Sequence, residues 1–578
     1  MLHKEHPPAT FDISSRNAPK ILLRLTEIAL TADDKPRLHA ALGQLGQMLH
    51  SLNYIEIVKV MKLAARAERP GVVAEAIRHV CARKDFKKEP AVEILNLAHR
   101  VGNETLAEAV ENRLADLLEP NERRAFLLRA ASLRRGPADA LEFVRRNPSP
   151  ARTPFDATEL GEVLLAAGKN RLALRYLRRC HRKWPGAPGI RRILLIAYTR
   201  NGLEEEARRW LSGLDTGDRC EGLDGLWLTL AMQTGDSQTA FDVLSGQIKK
   251  GRRSPGDLTL ILVLLSLGRL DEAESTARAL RTDPGKPLKQ SAHFGVLHVG
   301  ALINEMRLYK RLREQGGSAS PGVEDVKALY FAAKETLDTW EGWPCAPDPG
   351  TTSRVPRTIF QYWNTEDIPA DVDGIMQSWQ AYPEWQYRRF NRRTATEWLK
   401  ATFGPEHARA FKLANHVAEE SDFLRLCLLL AEGGIYADAD DRLLADPATL
   451  LGYGPGLVLF REPGVGAISN NLLCAPPGHP AMRIAVELTL EALLRRDNDS
   501  TWAKTGPGLL TRATAAHVIA NRDTALEDFA LVPPIFMHRH IQAHVQLPYK
   551  STPKYWNTQS ASIDPAIKQA LQDLVPSD

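Results

Sequence analysis

The sequence lacks three features that would place it in a special class of protein: a long apolar run, paired cysteines and a large excess of one charge. The longest apolar run, LTLILVLLSL at residues 258–267, is about half of the roughly 20 residues that a membrane-spanning helix needs. The six cysteines show no CxxC or other paired spacing, which excludes a zinc ribbon and a disulfide scaffold and favours a reducing compartment. A net charge of +5 over 578 residues indicates no nucleic-acid partner.

The amino terminus also lacks the apolar run of a secretory signal. We therefore expect a cytoplasmic protein with no transmembrane segment, and peripheral contact with the inner face of a membrane stays open. Local basic runs such as RYLRRCHRKW are interpreted as solvated helix faces. With 44% hydrophobic and 25% charged residues, the composition is that of a folded globular protein, and the length predicts two or three domains.

In the first half of the chain, a glycine followed five residues later by alanine recurs inside apolar helical spacing. The glycines lie 31 to 34 residues apart from Gly71 to Gly268, with a weaker unit at Gly136. Glycine lets one helix end in a left-handed conformation, and the small alanine lets the next helix pack closely.

These units resemble tetratricopeptide repeats, most clearly in LLAAGKNRLALRYLRRCHRKWPGAP and AYTRNGLEEEARRWLSGL. Pro185 lies where that repeat has its helix-ending proline. The resemblance covers residues 55–285 and implies an α-solenoid whose concave face binds a partner. An irregular helical domain that only spaces or orients the rest of the chain is the alternative.

The pattern changes after residues 342–354, a segment rich in proline and glycine that is typical of a linker. Beyond it, short apolar runs such as RTIFQYW and LVLF alternate with helical segments, which predicts an α/β sheet domain. The predicted fold class is therefore α + α/β. Its parts are an all-helical repeat solenoid at residues 1–285, a helical connector and linker at residues 286–353, an α/β domain at residues 354–560 and a tail at residues 561–578.

The segment GGIYADADD, residues 433–441, places three aspartates where a buried strand ends. In an extended strand, residues two apart share a face, so Asp438 and Asp440 are expected to project together at an edge where open α/β sheets bind ligands. A cation stabilises such a pair, and oxygen ligands suit Mg²⁺ or Mn²⁺. A solvated acidic turn is the alternative. Asp441 stays ambiguous, and Asp446 is assigned to a helix N-cap before proline.

Upstream, the segment SDFLRL places Asp422 and Arg425 three residues apart on one helix face. A surface ion pair is one interpretation. The other is an arginine that binds phosphate or holds a carboxylate at a metal-diphosphate site.

Four segments, in this order, resemble the family 32 glycosyltransferases, which are sugar transferases with a DXD motif. They are VPRTIFQYWN, EESDFLRLCLLLAEGGIYADAD, ISNNLLCAPPGHP and TGPGLLTRA, within residues 354–560. The resemblance implies a GT-A fold of the Rossmann-like α/β type, a nucleotide-sugar donor such as a UDP- or GDP-hexose, and Mn²⁺ or Mg²⁺ on the DXD motif. It also implies that the anomeric configuration is retained.

Carried over residue by residue, the resemblance implies that Asp438 contacts the ribose or the metal ion and that Asp440 ligates the metal ion. Asp422 and Arg425 would hold the donor sugar and diphosphate, and residues 359–363 would line the nucleotide pocket. The predicted catalytic residues are Asp422, Arg425 and Asp440; the predicted donor-binding residues are Phe360, Gln361, Tyr362, Trp363, Asp422, Arg425, Asp438 and Trp556; and the predicted metal ligands are Asp438, Asp440 and His544.

The carboxy-terminal segment HRHIQAHVQLPYKSTPKYWN offers several matches to the family's final histidine and tryptophan. We favour His544 as the metal ligand and Trp556 as the tryptophan. A polar loop, or an independent metal site with the spacing of His538, His540 and His544, is the alternative.

The implied reaction transfers a hexose from a nucleotide-sugar to a hydroxyl of a polysaccharide, a glycolipid or a protein, with the repeats binding the acceptor or a partner protein. The leaving group is a diphosphate, so the main tasks are to neutralise its charge and to exclude water. One alternative is a repeat scaffold with an inactive transferase-like domain. Another is phosphoryl or nucleotidyl transfer, which the lack of a Walker-type glycine loop disfavours.

Overall fold

The chain divides into two compact units, Met1–Ala167 with Leu547–Tyr555, and Gly168–Gln546 with Trp556–Asp578. Each unit is described separately below. The computed structural model describes residues 18–31, 34–67, 69–84, 94–95, 97–98, 104–146, 148, 150–215, 222–282, 296–316, 321–339, 346–464, 466–497, 499–522, 524–545, 547 and 550.

The described elements of the first unit are helices, and local sequence signals set their ends. Asn53 and Glu56 form a reciprocal capping box at the start of one helix, and the Thr153 side chain caps another. The helices are α1 (Ala18–Thr31), α2 (Lys35–Gln47), a 3₁₀ helix (Leu49–Ser51), α3 (Tyr54–Arg66), α4 (Pro70–Ala82), α5 (Glu104–Ala115), α6 (Pro120–Arg135), α7 (Pro137–Arg146) and α8 (Pro154–Ala166).

The second unit begins with seven helices, of which consecutive members pack as hairpins. They are α9 (Asn170–Lys183), α10 (Pro188–Arg200), α11 (Glu204–Asp215), α12 (Leu223–Thr234), α13 (Ser237–Lys249), α14 (Leu258–Ser266) and α15 (Leu270–Thr282).

The predicted pairing of glycine with alanine is confirmed in these hairpins. The four glycines have left-handed φ angles between 66° and 75°, and the four alanines are fully buried. In the first unit the prediction is wrong for Gly71, which lies inside α4. The identity of these helices as tetratricopeptide repeats stays a prediction. The glycines are Gly168, Gly202, Gly235 and Gly268, and the alanines are Ala173, Ala207, Ala240 and Ala273.

The rest of the second unit is a mixed α/β domain preceded by three helices. The helices and strands are α16 (Val296–Gly316), α17 (Val323–Ala328), α18 (Tyr330–Asp338), β1 (Thr358–Tyr362), α19 (Ala370–Gln380), β2 (Gln386–Phe390), α20 (Arg392–Phe403), α21 (Pro405–Lys412), α22 (Val417–Ala431), β3 (Gly434–Ala437), β4 (Arg442–Leu443), a 3₁₀ helix (Pro447–Tyr453), β5 (Leu457–Arg461), β6 (Ile468–Ala475), α23 (Pro480–Arg495), α24 (Thr501–Lys504), α25 (Pro507–Ala520), α26 (Ala525–Asp528), β7 (Phe529–Val532), α27 (Pro534–Met537) and β8 (Ile541–Gln542).

Six of these strands form one sheet in the order β2-β1-β3-β6-β5-β7. Strand β6 is antiparallel to both of its neighbours, and the other pairs are parallel. Alternate residues of each strand face opposite sides: Ile359 and Ile435 pack in one apolar cluster, and Phe360 and Tyr436 in the other. Both faces are therefore covered, as the run of apolar strands predicts. Strands β4 and β8 form a separate antiparallel pair.

Two glycines join α22 to the central strand β3. Gly433 has φ 68° and Gly434 has φ 126°, and a Cβ on Gly434 would lie 2.6 Å from the carbonyl oxygen of Thr358 on the adjacent strand. Gly433 and Gly434 follow the end of α22 at Ala431, and close strand packing is a second reason for glycine at position 434. The predicted N-cap is confirmed as well, because the Asp446 carboxylate accepts a hydrogen bond from the Ala448 N–H at 2.8 Å.

Within the second unit, the repeat helices contact the carboxy-terminal segment of the α/β domain. Arg539 Nη2 donates to the carbonyl oxygen of Gly202 at 2.9 Å, and a side chain at Gly202 would collide with the same guanidinium. At the preceding turn, a Cβ on Gly168 would lie 2.6 Å from Leu444, beside the β4–β8 pair. The turns at Gly168 and Gly202 are therefore close-packed against the domain, whereas a Cβ on Gly235 or Gly268 would meet nothing within 4 Å. Among the described helices, none has the length and apolar character required to cross a bilayer.

Replacing Gly434 by alanine is expected to lower the free energy of unfolding by about 2 kcal/mol or more, because the added methyl group meets a backbone oxygen in a strained conformation. Gly374→Ala is the matched control, since Gly374 is exposed inside α19 and has open space around it. The control is expected to be neutral or slightly stabilising. Urea unfolding compares the two variants, and equal stability would contradict this account of Gly434.

Candidate functional site

The candidate site lies at the carboxyl end of β3, where the strand ends at Ala437 and a tight turn follows. The Asp438 N–H donates to the Asn471 carbonyl at 2.9 Å, and the Asp441 N–H then donates back to the Asp438 carbonyl at 3.0 Å. The expectation that Asp438 and Asp440 share one face of an extended strand is therefore wrong. The turn sends the two carboxylates to different partners.

Arg425 on α22 is enclosed by acceptors. Its Nη2 lies 2.9 Å from Asp438 Oδ1 and 3.2 Å from Asp422 Oδ1. Nη2 also donates to Ser421 Oγ and Nε donates to the Ser421 carbonyl, while Nη1 donates to the Asn470 carbonyl. Since only 4% of the side chain is exposed, the guanidinium is committed to the protein. In this structure Arg425 contacts Asp438, and its contact with the donor diphosphate stays a prediction.

Asp422 is likewise part of a buried network. Its Oδ1 accepts a hydrogen bond from Asn470 Nδ2 at 2.8 Å, and its Oδ2 accepts one from Thr505 Oγ1 at 2.7 Å. Burial raises the pKa of Asp422 to about 6, although Arg425 and the Thr505 hydroxyl oppose this shift. Both carboxylate oxygens of Asp422 are therefore bonded to protein groups in this structure. Asn470 and Thr505 lie in segments that carried the family resemblance, yet no sequence signal assigned them a role.

Asp440, Asp441 and His544 form a second group beside this network. Each offers one ligand atom, and these atoms lie within 4.8 Å of one another. Asp440 is half-buried and 63% of the His544 side chain is exposed, so the group is open on one side. The two carboxylates suit Mn²⁺ or Mg²⁺, whereas the imidazole is a ligand more typical of transition-metal ions than of Mg²⁺. The structure thus brings Asp440 and His544 together, as the sequence predicts, and places Asp438 with Arg425 instead.

Asp441, which the sequence left ambiguous, holds this group in place. It is fully buried, its Oδ1 accepts the His544 N–H at 2.7 Å, and its carbonyl accepts the Trp379 Nε1–H at 2.7 Å. Burial raises the pKa of Asp441 to about 7, and the nearby His544 opposes the shift. His544 has φ 50°, a left-handed conformation that non-glycine residues rarely adopt. The bond to Asp441 therefore positions a strained residue.

The predicted nucleotide-pocket residues on β1 are mostly enclosed. Phe360 is fully buried in the apolar core, and Tyr362 is buried with its hydroxyl donating to Glu420 at 2.6 Å. Gln361 is also buried, and its Nε2 donates to the Asp438 carbonyl at 3.1 Å, so it supports the turn. Trp363, just beyond the strand, is partly exposed. Direct contact with a nucleotide therefore stays a prediction for Trp363, whereas Trp556 lies outside the described residues.

The other two histidines of the carboxy-terminal segment do not join His544. His540 is buried, with Nδ1 2.9 Å from Thr449 Oγ1 and Nε2 2.9 Å from Tyr453 Oη. Burial lowers the pKa of both His538 and His540 to about 4. Both nitrogens of His540 thus have protein partners, which contradicts the alternative of an independent metal site with this spacing.

A second histidine cluster lies at the amino-terminal end of β7, at the opposite edge of the sheet. His479 Nε2 lies 3.0 Å from Asp528 Oδ2, and the His517 ring is close by, with ring centroids 4.8 Å apart. His479 Nδ1 accepts the Ala481 N–H at 3.2 Å, so the neutral ring carries its proton on Nε2, facing the carboxylate. The ligand atoms of His479, His517 and Asp528 lie within 4.8 Å of one another, and we assign no cation to them.

Three comparisons show which known proteins this chain is similar to. Residues 369–453 match a family model described as a glycosyltransferase sugar-binding region containing a DXD motif. Over 98 residues the chain is 30% identical to the initiation-specific alpha-1,6-mannosyltransferase of Saccharomyces cerevisiae, covering 16% of this chain and 20% of that protein. Over 134 residues it is 26% identical to inositol phosphoceramide mannosyltransferase 2 of Schizosaccharomyces pombe, covering 23% and 38%.

The chain thus spans at most 38% of the length of these curated relatives. A solved structure, PaToxG glycosyltransferase, is 14% identical with a TM-score of 0.25, covering 41% of this chain and 95% of that one, and this similarity is too low to support an argument. The matched region includes α22, β3 and the turn at residues 438–441. The chain therefore contains a DXD-type glycosyltransferase sugar-binding region.

Arg425→Ala is expected to lower the free energy of unfolding by about 3 kcal/mol or more, because it leaves the carboxylates of Asp422 and Asp438 without their cation. Arg393→Ala is the matched control: Arg393 forms an exposed ion pair with Glu397, and such pairs contribute about 0.5 kcal/mol. Urea unfolding measures both variants. If Arg425→Ala is as stable as the control, the arginine does not hold this network.

The His479 cluster predicts a pH dependence of stability. Burial, together with repulsion by His517 and Arg354, lowers the pKa of His479 to about 3, whereas an unfolded histidine titrates near its ordinary value of 6.5. The unfolded chain therefore binds the proton first as the pH falls, so this contribution is complete above pH 6.5 and is lost progressively toward pH 3.

His479→Asn retains an acceptor for the Ala481 N–H and removes the titrating ring. Below pH 6.5 the variant is expected to lose less unfolding free energy than the unmodified chain. The difference in slope is about 1.4 kcal/mol per pH unit. Urea unfolding at a series of pH values measures the slope. An unchanged slope would contradict the assigned protonation state.

Proposed function

We propose that this protein is a metal-dependent retaining glycosyltransferase, which moves a hexose from a UDP- or GDP-sugar to a hydroxyl of a glycan, a glycolipid or a protein. The observation that carries the proposal is the arrangement at the end of β3: a buried network of Asp422, Arg425 and Asp438 lies beside Asp440 within the segment that matches the DXD sugar-binding region, and His544 reaches Asp440 from outside that segment. Retention of configuration rests on the family resemblance alone.

The cation would be held by Asp440 and His544, with Asp441 fixing the position of the histidine. When bound, a divalent ion supplies the positive charge that a departing diphosphate needs. The half-buried carboxylate of Asp440 suits Mn²⁺ or Mg²⁺, which keep some waters and take further ligands from phosphates.

The protein itself supplies the shape and charge of the site. Arg425 holds one oxygen of Asp438, whose side chain is 24% exposed and so faces the donor at the sheet edge. The bonds from Asn471 and Gln361 to the Asp438 backbone keep the turn from shifting when a ligand binds. Preorganised groups of this kind do not have to reorganise during the reaction, which is the main way that a polar site stabilises developing charge.

The acceptor and the role of the repeats are part of the same proposal. One relative is named a mannosyltransferase of inositol phosphoceramide, and the other an initiation-specific alpha-1,6-mannosyltransferase, so mannose is a reasonable first donor sugar to test. We propose that the repeat helices bind the acceptor or a partner protein, since the turns at Gly168 and Gly202 are packed against the β4–β8 pair and Arg539, close to His544 in the sequence. A cytoplasmic location stays a prediction.

Hydrolysis of nucleotide-sugars by the full chain tests the proposal. With Mn²⁺ present, at least one UDP- or GDP-hexose is expected to be hydrolysed slowly in the absence of acceptor, and Asp440→Asn should reduce this rate by roughly 100-fold. Asp446→Asn is the matched control, because it removes a nearby carboxylate and keeps the helix N-cap.

Isothermal titration with Mn²⁺ supplies a readout that does not depend on turnover. Binding should weaken in Asp440→Asn and in His544→Ala and remain in Asp446→Asn. If Mn²⁺ does not bind and no nucleotide-sugar is hydrolysed, the proposed function is refuted. Full Mn²⁺ affinity in Asp440→Asn would refute the metal assignment alone.

A further inference from the structure

One helix of the second unit, α9, has an exposed face made almost entirely of cations. With 100° per residue, the exposed side chains of this helix fall within an arc of about 140°, and the opposite side is buried. The face is about 21 Å long, from a rise of 1.5 Å per residue. We call it the basic face; its members are Arg171, Leu172, Arg175, Arg178, Arg179, Arg182 and Lys183.

The surrounding sequence does not neutralise this charge. From Glu162 to Glu204 the chain has ten lysines and arginines and no intervening carboxylate. In the part of the chain that the structure describes, none of the six cations of the basic face forms an ion pair. A helix face that is only solvated usually mixes both signs, so a face of one sign points to an anionic partner.

The basic face begins beside the candidate site. The turn at Gly168, two residues before α9, is packed against Leu444 and against Gln542 of the β4–β8 pair. Strand β4 follows Asp441 directly, and strand β8 precedes His544 by two residues. An anionic surface that contacted α9 would therefore lie next to the proposed donor site.

We propose that the basic face binds the anionic phospholipid surface of a membrane. The inference deepens the proposed function. It rests on that function in one respect only, which is that the membrane would present a lipid-linked acceptor. Cations are attracted to an anionic leaflet without directional hydrogen bonding, and an exposed leucine and a tryptophan suit the interface. Leu172 is 46% exposed within the face, and Trp184 follows the helix with Lys183 Nζ 4.3 Å from its ring centroid.

An acidic glycan is a less suitable occupant of this face. Glycan recognition needs polar groups that fix the orientation of each sugar and, commonly, an exposed aromatic platform. The basic face consists of six cations and one leucine, and no amide, hydroxyl or carboxylate belongs to it, although Arg178 donates to the neighbouring Tyr198 hydroxyl at 3.2 Å. A planar array of phosphates matches a convex helix of uniform charge better.

Vesicle sedimentation with the full chain tests the inference without any nucleotide-sugar. The protein is expected to bind vesicles that contain phosphatidylglycerol, to bind pure phosphatidylcholine vesicles at least ten-fold more weakly, and to be released by high salt. The triple variant Arg175→Glu, Arg179→Glu and Arg182→Glu should lose at least ten-fold in binding. The control variant Lys400→Glu, Lys412→Glu and Arg483→Glu reverses three exposed cations away from α9 and should bind as the unmodified chain does.

Urea unfolding verifies that both triple variants are folded, and a triple glutamine variant at the same α9 positions replaces the glutamate variant if it is unstable. Equal binding to both kinds of vesicle, or equal binding by the two triple variants, would overturn the inference. Binding to heparin but not to vesicles would also overturn it, in favour of an acidic glycan. If vesicle binding holds and no nucleotide-sugar is hydrolysed, the proposed function fails and the membrane surface stands.

Discussion

The candidate site depends on one buried cation, the guanidinium of Arg425, which lies between two carboxylates. It contacts Asp422 from its own helix and Asp438 from the end of β3, and it packs over the Tyr436 ring at 4.6 Å. Removing charges from water is costly unless each is paired and hydrogen-bonded, so these groups are held in one arrangement. Helix α22 and strands β3 and β6 thereby fix the position from which the acidic turn starts.

The turn directs the three aspartates of the acidic cluster to two different sets of partners. Asp438 belongs to the arginine network, whereas Asp440 and Asp441 face the segment that carries His544. Neighbouring carboxylates of like charge would otherwise raise one another's pKa. Asp438 is paired with the Arg425 guanidinium, whereas burial and the charges of Asp440 and Asp438 raise the pKa of Asp441 to about 7, so the turn does not carry three full negative charges at neutral pH.

The sequence predicts the α/β domain well because its signals are local. Apolar runs mark β1, β5 and β6, the glycine pair marks the end of α22, and the Asp446–Pro447 step marks a cap. The three-residue spacing of Asp422 and Arg425 predicts that they meet, and they do at 3.2 Å. The same spacing occurs on exposed and buried helix faces, so it could not predict that both side chains would be enclosed.

What the sequence could not show depends on contacts between distant segments. Thr505 reaches Asp422 across 83 residues and His544 reaches Asp441 across 103, and no periodicity connects such pairs. The sequence left Asp441 ambiguous, because the extended-strand assumption did not anticipate the turn at residues 438–441. Local sequence pattern therefore predicts which segments meet at the sheet edge. The partner of each polar side chain can be identified only from the folded structure.

The contact between Arg539 and Gly202 has an evolutionary consequence. Repeat arrays ordinarily gain, lose and exchange units freely, because each unit touches only its neighbours. Here the turn at Gly202 accepts a guanidinium from the segment that leads to His544, and it has no room for a side chain. A helical unit inserted or removed between Gly168 and Gly202 would alter the register of these two turns against the α/β domain, so the helices between them are not interchangeable modules.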